Sequence, residues 1–424
     1  MRISTAQIFQ QGLAGILRQQ GSLNQTQLQL STGRKINSPS DDPVGAARLQ
    51  ELERAVEVQA VYDRNVSRTR QRLQVEESAI QSAGELIQRV RELTVQASNA
   101  PLSDGDKAQI AVELRQRLDQ LVAIANTRDG DGEFIFAGAQ AGSQPFVRSD
   151  GAVAYQGDSI QRELSIGPGI TMRDGDTGDK VFMAIRDGNG VVSAGQADGN
   201  TGSGYIAVEN AVDRQAYIDA GRDTYTIEFL DAESFVVRDA DGIVPGFGNL
   251  VPDPADPDPL NPTLPLVEEG VPYTPGETIS FDGLNVTLRG SPEGGDEFTV
   301  EPAANQSVFA TLDELIGTLE GTTGSPAEGA AQRQGIDDAL ARLDRIETRF
   351  LEVRSDIGGR LNTLDSVEDN IAEQSLSLET LTSEIRDLDY AEAITRLQQE
   401  LVTLQAAQQS FIRIQGLSLF NFLR

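Results

Sequence analysis

Two apolar stripes without acidic residues, one at each end of an acidic chain, constrain this fold more than any other feature. Near the N-terminus Phe9, Leu13, Ile16, Leu23 and Leu30 recur at three- and four-residue spacing, with Gln20 and Gln27 filling the missing seam positions. Near the C-terminus Leu397, Leu401, Leu404, Phe411, Ile414, Leu417 and Phe420 follow the same rule. That spacing puts each set on one face of a helix. Residues 1–40 contain no Asp or Glu, and beyond Ile394 the only acid is Glu400. A single apolar helix is marginal in water, so each stripe needs a partner, and the two read as mates. Gln bonds neighbours in any direction, which suits helices covered on every face. These apolar positions are the predicted assembly interface. A single chain covers only one side of each stripe, so both ends are expected to be loose until neighbouring copies close around them.

The 424 residues carry 35 Lys and Arg against 65 Asp and Glu, a formal charge of −30. Residues 1–100 hold 12 basic and 10 acidic side chains, so the acidic surplus lies in the remainder. Such a field repels phosphates and argues against nucleic acid as a partner. The chain has no Cys and no His. That excludes disulfides, zinc held by Cys or His, and Ser–His or Cys–His nucleophile pairs. No catalytic residue, metal site or cofactor is indicated, and enzymatic activity is not expected. The start, MRISTAQIFQQGLAGILRQQ, lacks the continuous apolar core of a secretory signal. No apolar run is long enough for a membrane span, so export, if it occurs, is expected by a route without a cleaved signal.

Along the chain, residues 4–31 read as a helix stopped at Ser31-Thr32-Gly33, where Gly33 suits a left-handed cap. A short loop follows, containing Asn37, Asp41, Asp42 and Pro43. Asp42 is the predicted N-cap of the next helix and Pro43 its first residue, since Pro has no N–H to leave unpaired. From Val44 to about Ala100 no Pro occurs, and Leu49, Leu52, Val56, Val66, Leu73, Ile80 and Ile87 sustain a stripe. At 1.5 Å per residue this helix is on the order of 80 Å long. A turn at 101–105 leads to a second helix over 106–126.

Beyond Asp129 the pattern becomes β-like. Strands are expected at 133–136, 224–230, 235–238, 278–281, 285–288 and 297–300, the second and third forming a hairpin. PDPADPDPLNPTLP, 252–265, reads as an extended loop. Helix returns at 309–320, pauses over 321–329 and runs on from Ala330, with Gly358-Gly359 a candidate kink. The phase shifts at 387–391 before the terminal stripe. The fold class is therefore α+β: an elongated antiparallel helical bundle or coiled coil from N- and C-terminal arms, with an inserted mainly-β domain. The domains are 1–43 (assembly helix and loop), 44–139 (rod, N-terminal arm), 140–305 (β domain), 306–388 (rod, C-terminal arm) and 389–424 (C-terminal assembly helix).

Asp129-Gly130-Asp131, Asp174-Gly175-Asp176 and Asp187-Gly188-Asn189 invite a calcium reading. From Asp129 the sixth position of a twelve-residue calcium loop is Phe134 and the twelfth Gln140, where Gly and Glu are required. From Asp174 they are Asp179 and Ile185. Turns are the better reading.

LSTGRKINSPSDDPVGAA, 30–47, resembles the loop that joins the terminal helix to the first long helix in the bacterial flagellin superfamily. Its Asp-Asp-Pro, 41–43, and the ending Ile414–Leu423 are similar to hook-associated members of that superfamily. Asp387-Leu388-Asp389-Tyr390-Ala391 resembles the family's join before the last helix. The resemblance covers roughly 1–140 and 310–424. It implies a structural, extracellular flagellar subunit at the junction of hook and filament, exported through the flagellar type III channel, with terminal helices in the tube wall and the β insertion outside. The implied partners are further copies of the chain in a closed ring of about eleven, hook-associated protein 1, flagellin, and a cytoplasmic export chaperone at the C-terminal region. Two other functions compete: flagellin itself, and a secreted calcium-dependent adhesin on a helical stalk.

Overall fold

The helices follow from caps and stripes. The computed structural model describes residues 5–99, 103–149, 151–209, 212–221, 224–252 and 266–422. Among these described residues seven α-helices run in order: α1 (Thr5–Thr32), α2 (Pro43–Ala97), α3 (Asp104–Ala125), α4 (Arg214–Ala220), α5 (Val308–Glu320), α6 (Pro326–Arg386) and α7 (Tyr390–Phe422). α3 starts two residues before the sequence expectation of 106. Ser103 Oγ accepts from the Asp106 N–H at 3.3 Å, and Asp106 Oδ2 accepts from the Ser103 N–H at 3.1 Å, a reciprocal cap. α6 likewise begins before Ala330. Ser325 Oγ accepts from the Glu328 N–H, Glu328 Oε2 from the Ser325 N–H, and Pro326 fills the first helical position. α6 is continuous through Gly358 and Gly359.

The chain divides into two compact units: Met1–Val66, Ser165–Ile170 and Leu364–Arg424 form one, and Ser67–Leu164 with Thr171–Thr363 the other. The second unit contains two cores. In the first, antiparallel strands Gly242–Ile243, Ser234–Asp239, Tyr225–Asp231, Glu297–Pro302 and Val192–Gln196 lie side by side in that order. A second sheet, Thr278–Phe281, Leu284–Arg289 and Tyr205–Val208, shares its core: Val192, Tyr225, Ile227, Phe235, Val237, Phe298 and Val300 are buried with Ile206, Phe281, Val286 and Leu288. The Tyr225 and Phe281 rings meet at 4.8 Å. Alternation of apolar and polar residues produces these faces.

The other core is aromatic. Phe182 contacts Phe136 at 5.0 Å, Phe146 at 5.5 Å, Phe309 at 5.9 Å and Phe350 at 5.8 Å between ring centroids. Here the structure corrects the expected strand at 133–136. Only an isolated bridge forms, Arg128 to Phe134, and the segment turns so that Phe134, Ile135 and Phe136 all go inward. A buried turn and a strand share the same apolar signature. The strands expected in the β region pair as Tyr225–Asp231 with Ser234–Asp239, and as Thr278–Phe281 with Leu284–Arg289. Of the Pro-rich segment only Pro252 is described, and residues 253–265 lie outside the described residues.

The Asp/Gly runs are turns stapled by arginine. Asp129 Oδ1 accepts from the Asp131 and Glu133 N–H groups, and its Oδ2 from Arg72 at 2.7 Å. Arg162 holds Asp174 at 2.8 Å, and Arg342 holds Asp187 at 2.6 Å.

Candidate assembly interface

In the first unit α1 and α7 pair antiparallel. Leu388 N donates to Gly33 O at 3.0 Å and Lys35 N to Arg386 O at 2.7 Å. Ser22 Oγ donates to Glu400 Oε1 at 2.6 Å. At the far end the Phe411 ring lies against Gly12, where an added Cβ would fall 2.9 Å from Cδ2. One alignment satisfies all these contacts.

Covered positions on α1 include Gly12, Ile16, Gln19, Leu23, Thr26 and Leu30, and those on α7 are Ala393, Leu397, Glu400, Leu404, Ala407 and Phe411. Both sets alternate steps of three and four, the seam of an antiparallel coiled coil. Carried along that seam, the contacts set small residues opposite large ones: Gly12 faces Phe411, Ile16 faces Ala407 and Leu30 faces Ala393. The helices are thereby paired in the single chain along the described part of the seam.

The seam does not use every residue of the sequence stripes. Ile16, Leu23, Leu30, Leu397, Leu404 and Phe411 sit in it, whereas Leu13 and Leu401 lie one step off and remain 42 % and 41 % exposed. Beside them are Leu17 at 58 %, Val402 at 66 % and Ile412 at 66 % exposure. Phe9, Ile414, Leu417 and Phe420 belong to α1 and α7, but their side chains lie outside the described residues. A second apolar stripe thus runs along the outside of the pair, in a stretch whose only acid beyond Glu392, Glu400, is turned inward.

The loop between α1 and α2 is built around two carboxylates. Asp41 Oδ2 accepts from the Ser38 N–H at 2.9 Å and the Asn37 N–H at 3.1 Å, while Oδ1 accepts from Gln25 Nε2 at 3.0 Å. These backbone bonds hold the Asp41 carboxyl below its ordinary range. Asn37 Nδ2 donates to Arg34 O, and its Oδ1 accepts from Thr32 Oγ1 at 2.8 Å. Asp42 Oδ1 accepts from the Gly45 N–H at 3.0 Å, capping the turn that Pro43 opens. Ile36 is buried beneath.

Reading the two join segments separately misses that they bond to one another. Gly33 has φ +69°, and an added Cβ would stand 2.8 Å from Tyr390 Oη. The backbones of Arg34 and Asp387 form an antiparallel bridge, and the Asp387 carboxyl is held below its ordinary range by Arg386 first and then Ser383. The loop after α1 and the break before α7 therefore close one end of the pair.

Among the described residues no group of three or more Asp or Glu is placed to hold a metal ion, and no helix is long and apolar enough to cross a membrane.

Residues 3–141 match the family of the bacterial flagellin N-terminal helical region, and residues 334–423 match that of the bacterial flagellin C-terminal helical region. Over 99 % of both chains the sequence is 25 % identical to flagellar hook-associated protein 3 of Escherichia coli. The crystal structure of Xanthomonas campestris FlgL superposes with a TM-score of 0.67 at 28 % identity, covering 78 % of this chain and 99 % of that one. That of the flagellar junction protein FlgL from Legionella pneumophila gives 0.65 at 29 %, covering 80 % and 100 %. With both helical arms matched, and the full length similar to flagellar hook-associated protein 3, this chain belongs to the bacterial flagellin family.

Proposed function

We propose that the chain is a non-enzymatic structural subunit of the junction between hook and filament, assembling through the outer face of the α1–α7 pair. The observation that carries the assembly half is the second apolar stripe. Leu13, Leu17, Leu401, Val402 and Ile412 stay exposed after the intramolecular seam has formed. Covering what remains exposed of each such side chain contributes about 0.6–2 kcal/mol, and copies of the same pair placed side by side supply the cover. The junction half is supported by full-length similarity to hook-associated protein 3 and by the likeness to a solved flagellar junction protein. In this reading copies close into a ring of about eleven, between hook-associated protein 1 and flagellin. The chain reaches that place by type III export, with a chaperone on the C-terminal region beforehand.

The test is Val402→Asp with Ile412→Asp, alongside removal of residues 401–424, in cells whose only copy is the variant. Both are expected to leave a soluble folded β region and to abolish assembly, so that cells shed flagellin into the medium. Motile cells with normal filaments would overturn the proposal. A bulk filament subunit is separated by abundance, since it would be the principal protein of the filament.

A further inference from the structure

We infer that Glu400, through Ser22, sets the register of the α1–α7 pair, admitting one antiparallel alignment of two stripes that would otherwise slide. The inference rests on the seam that the proposed assembly uses, not on the assembly itself. Apart from this pair the seam is apolar or neutral, with Ile16, Leu23 and Leu30 on one side and Leu397, Leu404 and Phe411 on the other. α1 has no acid and the rest of α7 beyond Glu392 has none but Glu400, so opposite-charge pairs along the flanks do not select an alignment. A slip of one heptad still sets leucine against small or neutral residues, Leu23 against Ala393 or Ala407 and Leu404 against Gly12 or Thr26. Glu400 is what such a slip cannot accommodate.

Its side chain occupies a seam position at 9 % exposure. Oε1 accepts from Ser22 Oγ at 2.6 Å, and buried Oε2 has no hydrogen-bond partner. The carboxylate therefore depends on one donor. Sliding α1 by seven residues replaces Ser22 with Gly15, which has no side chain, or with Gln29. Gln29 is itself buried, with one Nε2 hydrogen committed to Lys35 O at 2.7 Å, so a slip that carried it to Glu400 would draw it away from that loop carbonyl. A buried carboxylate stripped of its donor is strongly disfavoured. An apolar residue at 400 would stabilise several alignments alike, as single polar seam positions show in coiled coils generally.

Two other features could hold the register: the bonds between residues 33–35 and 386–388, and the fit of Phe411 on Gly12. The experiment separates them from Glu400. The chain has no Cys, so introduced pairs report cleanly on the isolated, unassembled protein. Thr26→Cys with Leu397→Cys probes the observed alignment, and Gln19→Cys with Leu397→Cys probes the slip. With Glu400 present the first pair is expected to close on mild oxidation and the second to stay open. Glu400→Leu should speed closure of the slipped pair by about tenfold or more. Glu400→Gln, which keeps an acceptor for Ser22, should restore exclusion. Ser22→Ala alone should slow closure of the aligned pair, and adding Glu400→Leu should recover it. If the slipped pair stays as unreactive in Glu400→Leu as with Glu400, the loop or the glycine sets the register and the inference falls. Failure of assembly with the expected cross-links would sink the proposed function and leave this inference standing.

Discussion

Gly12 lies against the ring of Phe411, and a Cβ placed there would come 2.9 Å from Cδ2 and 3.2 Å from Cε2. A large side chain at position 12 must displace the ring. Gly12→Leu is expected to cost about 1–3 kcal/mol of pair stability, the usual range for overpacking, despite the better helix propensity of Leu. Amide exchange over residues 12–22 and 400–411 measures it. Unchanged protection would show that the ring turns away freely.

At the closed end, Gly33 combines a left-handed backbone with the nearness of Tyr390 Oη. Gly33→Ala is expected to lose about 1–2 kcal/mol from the backbone alone, plus a steric part from the tyrosine. Tyr390→Phe should return the steric part and leave the backbone part. Urea unfolding of the two single variants and the double variant separates the contributions. Full rescue would contradict the backbone argument.

The loop carboxylates should behave differently from each other. Asp42→Ala removes a helix cap and is expected to cost about 1 kcal/mol. Asp41, accepting from Ser38 and Asn37, has a folded value below its unfolded one. Its contribution is thus present above the unfolded value of about 4, and is lost as pH falls through the folded value. Exchange at the Ser38 and Asn37 amides should accelerate over that acid range, beyond the intrinsic pH dependence, and Asp41→Asn should abolish the excess. An excess that persists in Asp41→Asn would assign the effect to another group.

The helical arms were legible because periodic leucines and cap residues are local signals. Phase was not. A reading that follows large apolar residues chooses Leu13 and Leu401, whereas the seam runs through Gly12, Ala393 and Ala407, small residues that make room for large ones opposite. The start of α6 was available in Ser325-Pro326-Ala327-Glu328, a cap box with proline at the first helical position. The hairpin Phe146–Ser149 with Ala152–Tyr155 gave little local warning, being short and closed by Gly151. Nor did any local signal mark the Ser22–Glu400 bond, since a lone Glu in a helix usually faces water.

Asp338 in α6 supplies the last prediction. Burial pushes its carboxyl up to about 7, aided by Asp187 and Asp337 and opposed by Arg342 and by the hydrogen bond from Gln334 Nε2 at 2.8 Å. Gln334 also accepts the Ile206 N–H at 2.7 Å, so the carboxyl sits behind the contact between α6 and strand Tyr205–Val208. Because the folded value exceeds the unfolded one, the contribution is fully present below about pH 4. It declines as pH rises and is lost once pH passes the folded value of about 7. Above that point the protein holds a buried charge that it does not hold at pH 5. Asp338→Asn keeps an oxygen for Gln334 and removes that charge. It is therefore expected to stabilise the protein at pH 8, and to do so by clearly more than at pH 5. Denaturant unfolding at the two pH values measures the difference, and an equal effect at both would show that Asp338 titrates as an ordinary carboxylate.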